Sequence, residues 1–176
     1  MTREVPVIGH EVVLLRMVWH PVHFPNGELI ASAFESSDLR PDRDRDDRPR
    51  YISVDRQDDL RKQSIDWRIA YQQRDGRDEQ ENRKEVRFIE FLCGEILTAT
   101  DDSGTQPFAV TTEPVLAMEN GMPENPGHCA IRNVSGKGGD KKKAEDRTYV
   151  EELRTILMRL KRRITNYEDV FPEKAD

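Results

Sequence analysis

Apolar residues gather in four stretches of the chain, which charged or glycine-containing segments separate. The stretches are 12–34, 86–99, 107–118 and 150–164. Residues 12–20 form a short, Val-rich run that is apolar on both faces except at Arg16, which is typical of a strand. Pro25, Asn26 and Gly27 then give a strong turn signal. We therefore expect residues 28–34 to return as the second strand of a hairpin.

The middle of the chain predicts a third strand and two helices. Residues 51–54 indicate the strand, and a helix from about 58 to 74 follows, with only a ragged apolar stripe. Residues 78–93 fit helical spacing and include the helix-forming lead-in EQENRKE. A strand over 86–92 is the alternative, because apolar residues there also alternate with a period of two.

The second half of the chain predicts another hairpin, a strand and a helix. Residues 95–100 and 107–113 have β character, and the turn-forming DDSG lies between them. His128 to Val134 is predicted to be a strand. Apolar residues recur at alternating spacings of three and four over 147–164. This spacing predicts an amphipathic helix that packs on the sheet or on a partner.

These elements predict a single α+β domain over residues 1–176, with a small, mainly antiparallel sheet. Two or three helices accompany the sheet, and one of them is the amphipathic C-terminal helix. The charged segments near 35–50 and 135–146 are expected to be mobile loops, because their composition cannot offset the entropy of ordering them. The tail from residue 166 is expected to be frayed.

Charge and composition narrow the class of protein. The 176 residues carry 34 acidic and 28 basic side chains, so the net charge is −6, and mean hydropathy is −0.82. A negative total disfavours a general nucleic-acid coat, which needs basic surface to neutralise phosphates. Two cysteines are too few for a disulfide framework. Without a signal peptide or a long apolar run, we expect a soluble, cytoplasmic protein that does not bind a membrane.

Arg16 and the histidines are the candidate catalytic residues. A guanidinium inside an apolar strand is costly to bury without an anionic partner. Arg16 is therefore expected either at a sheet edge, paired with an internal carboxylate, or on a ligand-facing strand. Two histidines can act as general base and general acid on a phosphodiester, with a cation stabilising the transition state. Arg16, His20 and His128, with His23 as a substitute for His20, would supply that set if their strands meet.

The histidines and a cysteine also suggest two further chemistries. His20, His23, His128 and Cys129 have the side chains of a zinc site, but their spacing is not typical of one, so no metal or cofactor is assigned. Cys129 as a nucleophile would need a neighbouring base. Adjacent strand residues point to opposite faces, so His128 cannot serve it, and Cys129 is predicted to be a buried core thiol.

A glycine- and lysine-containing segment at 135–145 is a candidate binding loop. It lacks the order of residues of a Walker A motif. Its cations could still contact nucleic acid or another acidic surface electrostatically. The alternative is a linker into the last helix. The candidate binding residues are Lys137, Lys141, Lys142 and Lys143.

Two resemblances add to this picture. Five short motifs resemble the layout of small bacterial proteins that have no assigned activity: LLR at 14–16, FPNG at 24–27, ASAF at 31–34, ISVDR at 52–56 and NPGHCA at 125–130. This resemblance implies a bacterial, cytoplasmic protein. Arg16 and the segment at 34–37, FESS, also resemble ADP-ribosyltransferase-like folds, in which an early strand carries Arg or His.

Two functions of different class follow from the sequence. The first is a non-enzymatic interaction protein, an accessory subunit of a bacterial complex that binds its protein partner through the 147–164 helix or the charged loops. The alternative is an enzyme that acts on a phosphodiester or nucleotide, RNase-like or ADP-ribosyltransferase-like, through Arg16 and His128. A structure that places these two residues at one pocket would favour the enzyme.

Overall fold

The structure, a computed structural model of the 176-residue chain, describes residues 8–41, 50–74 and 83–173. Within these ranges the elements are β1 (Val13–Pro21), β2 (Ile52–Arg56), α1 (Lys62–Arg74), β3 (Arg83–Leu92), α2 (Cys93–Thr98), β4 (Phe108–Thr112), β5 (His128–Asn133), α3 (Ala144–Leu160), β6 (Arg163–Asn166) and α4 (Tyr167–Val170). The six strands form one antiparallel sheet in the order β4-β5-β2-β1-β3-β6. The predicted α+β class is confirmed.

The two neighbours of β1 pair with it very differently. β3 pairs with β1 along its whole length. β2 pairs with β1 only at Leu14↔Arg56 and Leu15↔Asp55, and the two strands then separate. On its other edge β2 pairs with β5, where Asp55 lies opposite His128. The sheet therefore has an opening between β1 and β2, one strand away from His128.

One face of the sheet holds the larger core, which α3 covers. The 3-4 spacing of apolar residues in α3 places its buried side chains on one stripe, and that stripe packs on the sheet. Acidic residues in the first turn of α3 and Arg159 in its last turn suit the helix dipole. The fully buried members of this core include Leu14, Val18, Phe34, Ile52, Val54, Ile89, Phe91, Ile131, Leu153 and Leu157.

The opposite face holds a smaller core, because α1 and α4 cover only part of it. Ile65 of α1 packs there with Leu15, Trp19, Val86 and Phe88. Tyr167, Val170 and Phe171 extend this core at the C-terminus. The end of this face that β2, β5 and β4 form carries polar side chains instead.

The first predicted hairpin is wrong. The turn exists, with φ of 80° at Gly27, but residues 28–34 do not form a strand. They contain a 3₁₀ turn, Ala31–Ala33, that lies over the larger core and buries Phe34. Arginine side chains satisfy two carbonyl oxygens of this segment: Arg154 donates to Ala31 and Arg16 donates to Ala33. These two carbonyl oxygens thus accept hydrogen bonds from side chains and not from a partner strand.

The predicted helix over 78–93 is also wrong in the described part, and the alternative strand is correct. Residues 83–92 form β3, whose apolar side chains point to the smaller core on one face and to the larger core on the other. Residues 75–82 lie outside the described residues. Residues 95–100, predicted as a strand, lie largely in α2. Gly94 lies in the first turn of this helix rather than ending one. A Cβ at position 94 would lie 2.9 Å from the His10 Cβ, so the glycine allows His10 to approach. The predicted hairpin between 95–100 and 107–113 therefore does not form. β4 pairs with β5 instead.

The C-terminal region is more ordered than the sequence predicts. The predicted helix is confirmed, but it ends at Leu160, and residues 163–166 form the edge strand β6. The tail from 166 is not frayed up to residue 173, because α4 packs in the smaller core; residues 174–176 lie outside the described residues. The 135–146 loop is tied to α3, since Asp146 accepts hydrogen bonds from Gly138 and Asp140.

The charged segment at 35–50 is described at its ends only, since 42–49 lie outside the described residues. Its first part is packed rather than detached: Leu39 is fully buried, and Asn133 donates to its carbonyl oxygen at 2.9 Å. Within residues 8–41, 50–74 and 83–173, no helix combines the length and apolar character needed to span a bilayer.

Candidate functional site

Asp55 is the centre of a buried polar cluster on the α1 face of the sheet. Its side chain is 1% exposed, and three neighbours hold it. Arg68 of α1 donates to both carboxylate oxygens at 3.0 Å. Asn125 Nδ2 donates to Oδ1 at 2.7 Å. His128 Nδ1 lies 3.3 Å from the same oxygen. A buried carboxylate needs such partners, because an unpaired charge is costly in the interior.

These contacts set the charge of Asp55. Burial raises its pKa, but the hydrogen bond with His128 and the charge and hydrogen bonds of Arg68 outweigh that effect and lower the pKa to about 2. Asp55 is therefore an anion at neutral pH. An anionic acceptor at Nδ1 favours the tautomer of His128 that carries its proton there. The Nε2 lone pair of the neutral ring is then free to accept a proton.

Ser53 completes a line of three side chains. It lies two residues before Asp55 on β2, so both side chains point to the same face of the sheet. Ser53 Oγ lies 3.5 Å from His128 Nε2, while Asp55 Oδ1 lies 3.3 Å from Nδ1. We call this line the Ser53–His128–Asp55 relay. Its connectivity is that of a nucleophile, a base and an orienting carboxylate.

Gly127 allows the chain just before β5 to lie close to the turn that follows β2. A Cβ at position 127 would lie 2.6 Å from the carbonyl oxygen of Asp59 in that turn. The Gly127 carbonyl also accepts a hydrogen bond from the Arg56 backbone at 2.8 Å. A larger residue at position 127 would therefore clash with the backbone of this turn, directly beside His128.

A cavity of about 240 Å³ adjoins the relay at the opening between β1 and β2. Ser53 belongs to its wall, and Ser53 is only half-buried. His128 is 6% exposed, and the described part of the cavity wall does not include it. The lining residues are Arg16, Met17, Trp19, His23, Ser32, Glu35, Ser53, Arg68, Gln72 and Arg83. A small molecule in this cavity would therefore contact Ser53 rather than the imidazole of His128.

Arg16 takes the place of strand pairing at this opening. Its two terminal nitrogens donate to main-chain carbonyl oxygens, Nη1 to Ser53 at 3.0 Å and Nη2 to Ala33 at 3.2 Å. Its Nε is buried and has no hydrogen-bond partner in the described part of the chain. Burial lowers the pKa of this guanidinium, although nearby carboxylates, chiefly Asp38, oppose the effect. Arg16 thus brings a positive charge to the cavity wall. It contacts the main-chain carbonyl of Ser53, and the hydroxyl of the same serine contacts His128.

His20 and His23, the other two histidines predicted as candidates, do not contact His128 in the described structure. His23 is in the cavity wall, where its Nδ1 accepts a hydrogen bond from the Trp19 backbone at 3.0 Å. His20 lies opposite Glu85 of β3. His128 contacts Ser53, Asp55 and the ring of Tyr51 rather than His20. Among the described residues, the contacts of His128 therefore include no second histidine.

The structure shows where Cys129 and the candidate metal ligands lie. Cys129 is fully buried in the larger core, on the opposite face from His128, as predicted. Burial raises the pKa of its thiol to about 12, which makes it a poor nucleophile. Among the described residues, no group of three or more His, Cys, Asp or Glu side chains is placed to hold a metal ion.

The four candidate lysines do not share one site. Lys137 lies 3.5 Å from the Asp101 carboxylate and over the ring of Tyr149. Lys143 is at the N-cap position of α3. Lys141 and Lys142 line a second cavity of about 510 Å³. Arg40 and Arg50 also line this cavity, so it is basic, but it lies apart from the relay.

Sequence reasoning missed Ser53, Asp55 and Arg68 as site residues. One signal was present: the motif ISVDR places a hydroxyl and a carboxylate at alternate positions of a predicted strand, and hence on one face. The sequence gives no sign that β5 is the neighbour of this strand. Without that pairing, His128 had no identified partner.

No protein-family model, no curated protein and no solved structure matches the chain. The interpretation of the relay therefore rests on its own geometry.

Proposed function

We propose that this protein is a serine-dependent acyl hydrolase or acyltransferase, with Ser53 as nucleophile, His128 as general base and Asp55 as the orienting carboxylate. The observation that carries this proposal is the relay itself, in which Ser53 faces a cavity and its Oγ lies 3.5 Å from His128 Nε2. It is a different chemistry from a paired-histidine mechanism, although it uses His128 and the Arg16 region.

The proposed reaction has two steps. Ser53 Oγ attacks the carbonyl carbon of an ester while His128 Nε2 takes the hydroxyl proton, and the resulting imidazolium is stabilised by the Asp55 anion. The ester C–O bond then breaks, and the leaving alkoxide takes the proton from Nε2. Water, or another acceptor alcohol, repeats the sequence on the acyl-Ser53 and regenerates the hydroxyl. An Oγ–Nε2 distance of 3.5 Å is at the long end for this transfer, and such contacts shorten when substrate binds.

Reaction with a fluorophosphonate probe, followed by peptide mass mapping, tests the assignment. We expect one label per chain, located on Ser53. Ser32→Ala is the matched control, because Ser32 lies in the same cavity wall, and it should label like the wild type. His128→Gln should slow labelling by about 10²-fold or more, since the base is removed. Labelling of Ser53→Ala at the wild-type rate would refute the proposal.

The accessory-subunit hypothesis remains a second candidate, and one observation favours it. The connection between β4 and β5 exposes two large apolar side chains, Leu116 at 77% and Met118 at 56%. Exposed apolar surface can mark a protein contact. The apolar stripe of α3, by contrast, is already covered by the sheet.

Co-purification from the native host would test this second candidate. A Leu116→Ser, Met118→Ser double variant should lose a partner that the wild type retains, and Ile30→Ser, at another exposed apolar position, should keep it. Retention of the partner by the double variant would exclude this surface.

A further inference from the structure

We propose that the cavity beside Ser53 binds an oxyanion, a carboxylate or phosphate group of the substrate, against the Arg16 guanidinium and the His23 imidazole. As a statement about substrate class the inference rests on the proposed function. As a statement about anion binding it stands on the cavity alone.

Arg16 is the first reason. Its hydrogen-bond partners are neutral carbonyl oxygens, and its Nε has none in the described part of the chain. A buried guanidinium is stabilised best by a carboxylate or a phosphate that faces it. The acid in the cavity wall is Glu35, and the nearby Asp38 acts on Arg16 through its charge. A bound oxyanion would supply the compensation that carbonyl groups supply only in part.

His23 is the second reason. Its Nδ1 accepts a hydrogen bond from the Trp19 backbone, so that nitrogen does not carry the proton. Burial, with the positive charges of Arg16 and Arg83, lowers the pKa of His23 to about 4, so the ring is neutral at pH 7. A neutral imidazole that accepts at Nδ1 carries its proton at Nε2. His23 therefore adds a fixed N–H donor to the wall that already contains Arg16.

The remaining charge and size of the cavity point the same way. Three arginines and one glutamate line it, and Asp55 balances Arg68. The wall therefore presents guanidinium groups beside Ser53, and among the described residues Arg16 makes no direct contact with a carboxylate. A cavity of about 240 Å³ is smaller than a typical drug-sized site. It suits a small charged group attached to the ester rather than a large apolar acyl chain.

Calorimetric titration with inorganic phosphate and, separately, with acetate tests the inference and distinguishes the two sources of the oxyanion. We expect at least one of them to bind the wild type. Arg16→Gln, which removes the charge but keeps an amide donor for Ser53, should weaken binding by about tenfold or more. His23→Leu should weaken it similarly. His23→Gln, which retains an acceptor and a donor, should restore binding to within about threefold of the wild type.

One control makes the outcome decisive. Lys141→Gln with Lys142→Gln alters the second, basic cavity and should leave binding unchanged. If neither anion binds, or if binding depends on Lys141 and Lys142 instead of Arg16 and His23, the inference is wrong. If binding depends on Arg16 and His23 but Ser53 fails to react with the probe, the anion site stands and the proposed hydrolase fails.

Discussion

The two faces of the sheet are built from the same strands but serve different purposes. On the α3 face, strand residues and the helix stripe meet in an apolar core whose members are almost all fully buried. On the α1 face, the apolar core is smaller, and polar side chains occupy the area around β2 and β5. Alternation along one strand produces this division: Ile52 and Val54 face the larger core, while Ser53 and Asp55 face the relay.

This difference shows how a small sheet carries a buried polar cluster beside an apolar core. The larger core stabilises the fold, so the opposite face can carry a buried charge, an opening between strands and a half-buried hydroxyl. Loss of a buried side chain should therefore lower stability on either face, whereas only substitutions in the relay should change the reactivity of Ser53. The effects on stability below are ordered from the largest to the smallest.

Loss of the buried carboxylate should have the largest effect. Asp55→Asn leaves Arg68 and His128 without their anion, which should lower the free energy of unfolding by about 3–5 kcal/mol, as for other buried pairs that lose one member. Chemical denaturation of both proteins measures this. Glu113→Gln, on the more exposed pair with Arg132, is the control and should cost about 0–1 kcal/mol. Equal effects would contradict a special role for Asp55.

Truncation of a side chain in the larger core should lower the free energy of unfolding by a similar amount but leave the reactivity of Ser53 unchanged. Leu153 is fully buried, so Leu153→Ala should lower the free energy of unfolding by about 2–5 kcal/mol. Arg159→Ala, on the exposed side of the same helix, should change it by about 0.5 kcal/mol or less. Below the unfolding transition, Leu153→Ala should still react with the fluorophosphonate probe at Ser53. Loss of labelling while the protein remains folded would show that the two faces are coupled.

Acid should reduce the contribution of Asp55 to the free energy of unfolding. Its pKa lies at about 2 in the folded protein and near the ordinary 3.8 in the unfolded chain. The unfolded chain therefore binds the proton first as the pH falls, and the stabilisation is present above about pH 4 and lost towards pH 2. The difference in unfolding free energy between the wild type and Asp55→Asn should shrink over that window. Other carboxylates with lowered pKa, such as Asp58 and Asp146, are common to both proteins. A difference independent of pH would contradict the assignment.

Removal of the Ser53 hydroxyl should have the smallest effect on stability. Its 3.5 Å contact with His128 is long and Ser53 is half-buried, so Ser53→Ala should change the free energy of unfolding by about 1 kcal/mol or less. The same variant should lose all probe labelling at this position. Thermal unfolding together with labelling measures both. A large loss of stability would instead indicate that Ser53 is a structural part of the cluster.

The sequence predicts the elements whose periodicity is unambiguous. The spacing of apolar residues identifies α3, and the short strands β2, β4 and β5 are located within a few residues. The segment that became β3 has both helical and alternating periods, and its helix-forming lead-in favours the wrong one. Residues 28–34 fail for another reason: Leu29, Ala33 and Phe34 are buried without a partner strand, and arginine side chains donate to the carbonyl oxygens of Ala31 and Ala33.

The site was predictable only in part. Arg16 and His128 stand out by residue type, and both lie at the relay or its cavity. Their connection depends on the pairing of β2 with β5, which are distant in sequence, and on the early end of the pairing between β1 and β2. Local patterns do not encode strand order, so Ser53 and Asp55 acquire their role only in three dimensions.

Acylation of Ser53 by a simple ester tests the central claim most directly. The protein is mixed with p-nitrophenyl acetate, the release of nitrophenolate is followed, and the acyl-enzyme is trapped with acid and mapped by mass spectrometry. We predict a burst of about one nitrophenolate per chain, an acetyl group on Ser53, and neither in Ser53→Ala. Equal turnover of the ester by the wild type and Ser53→Ala, with no acetyl group at residue 53, would contradict the relay.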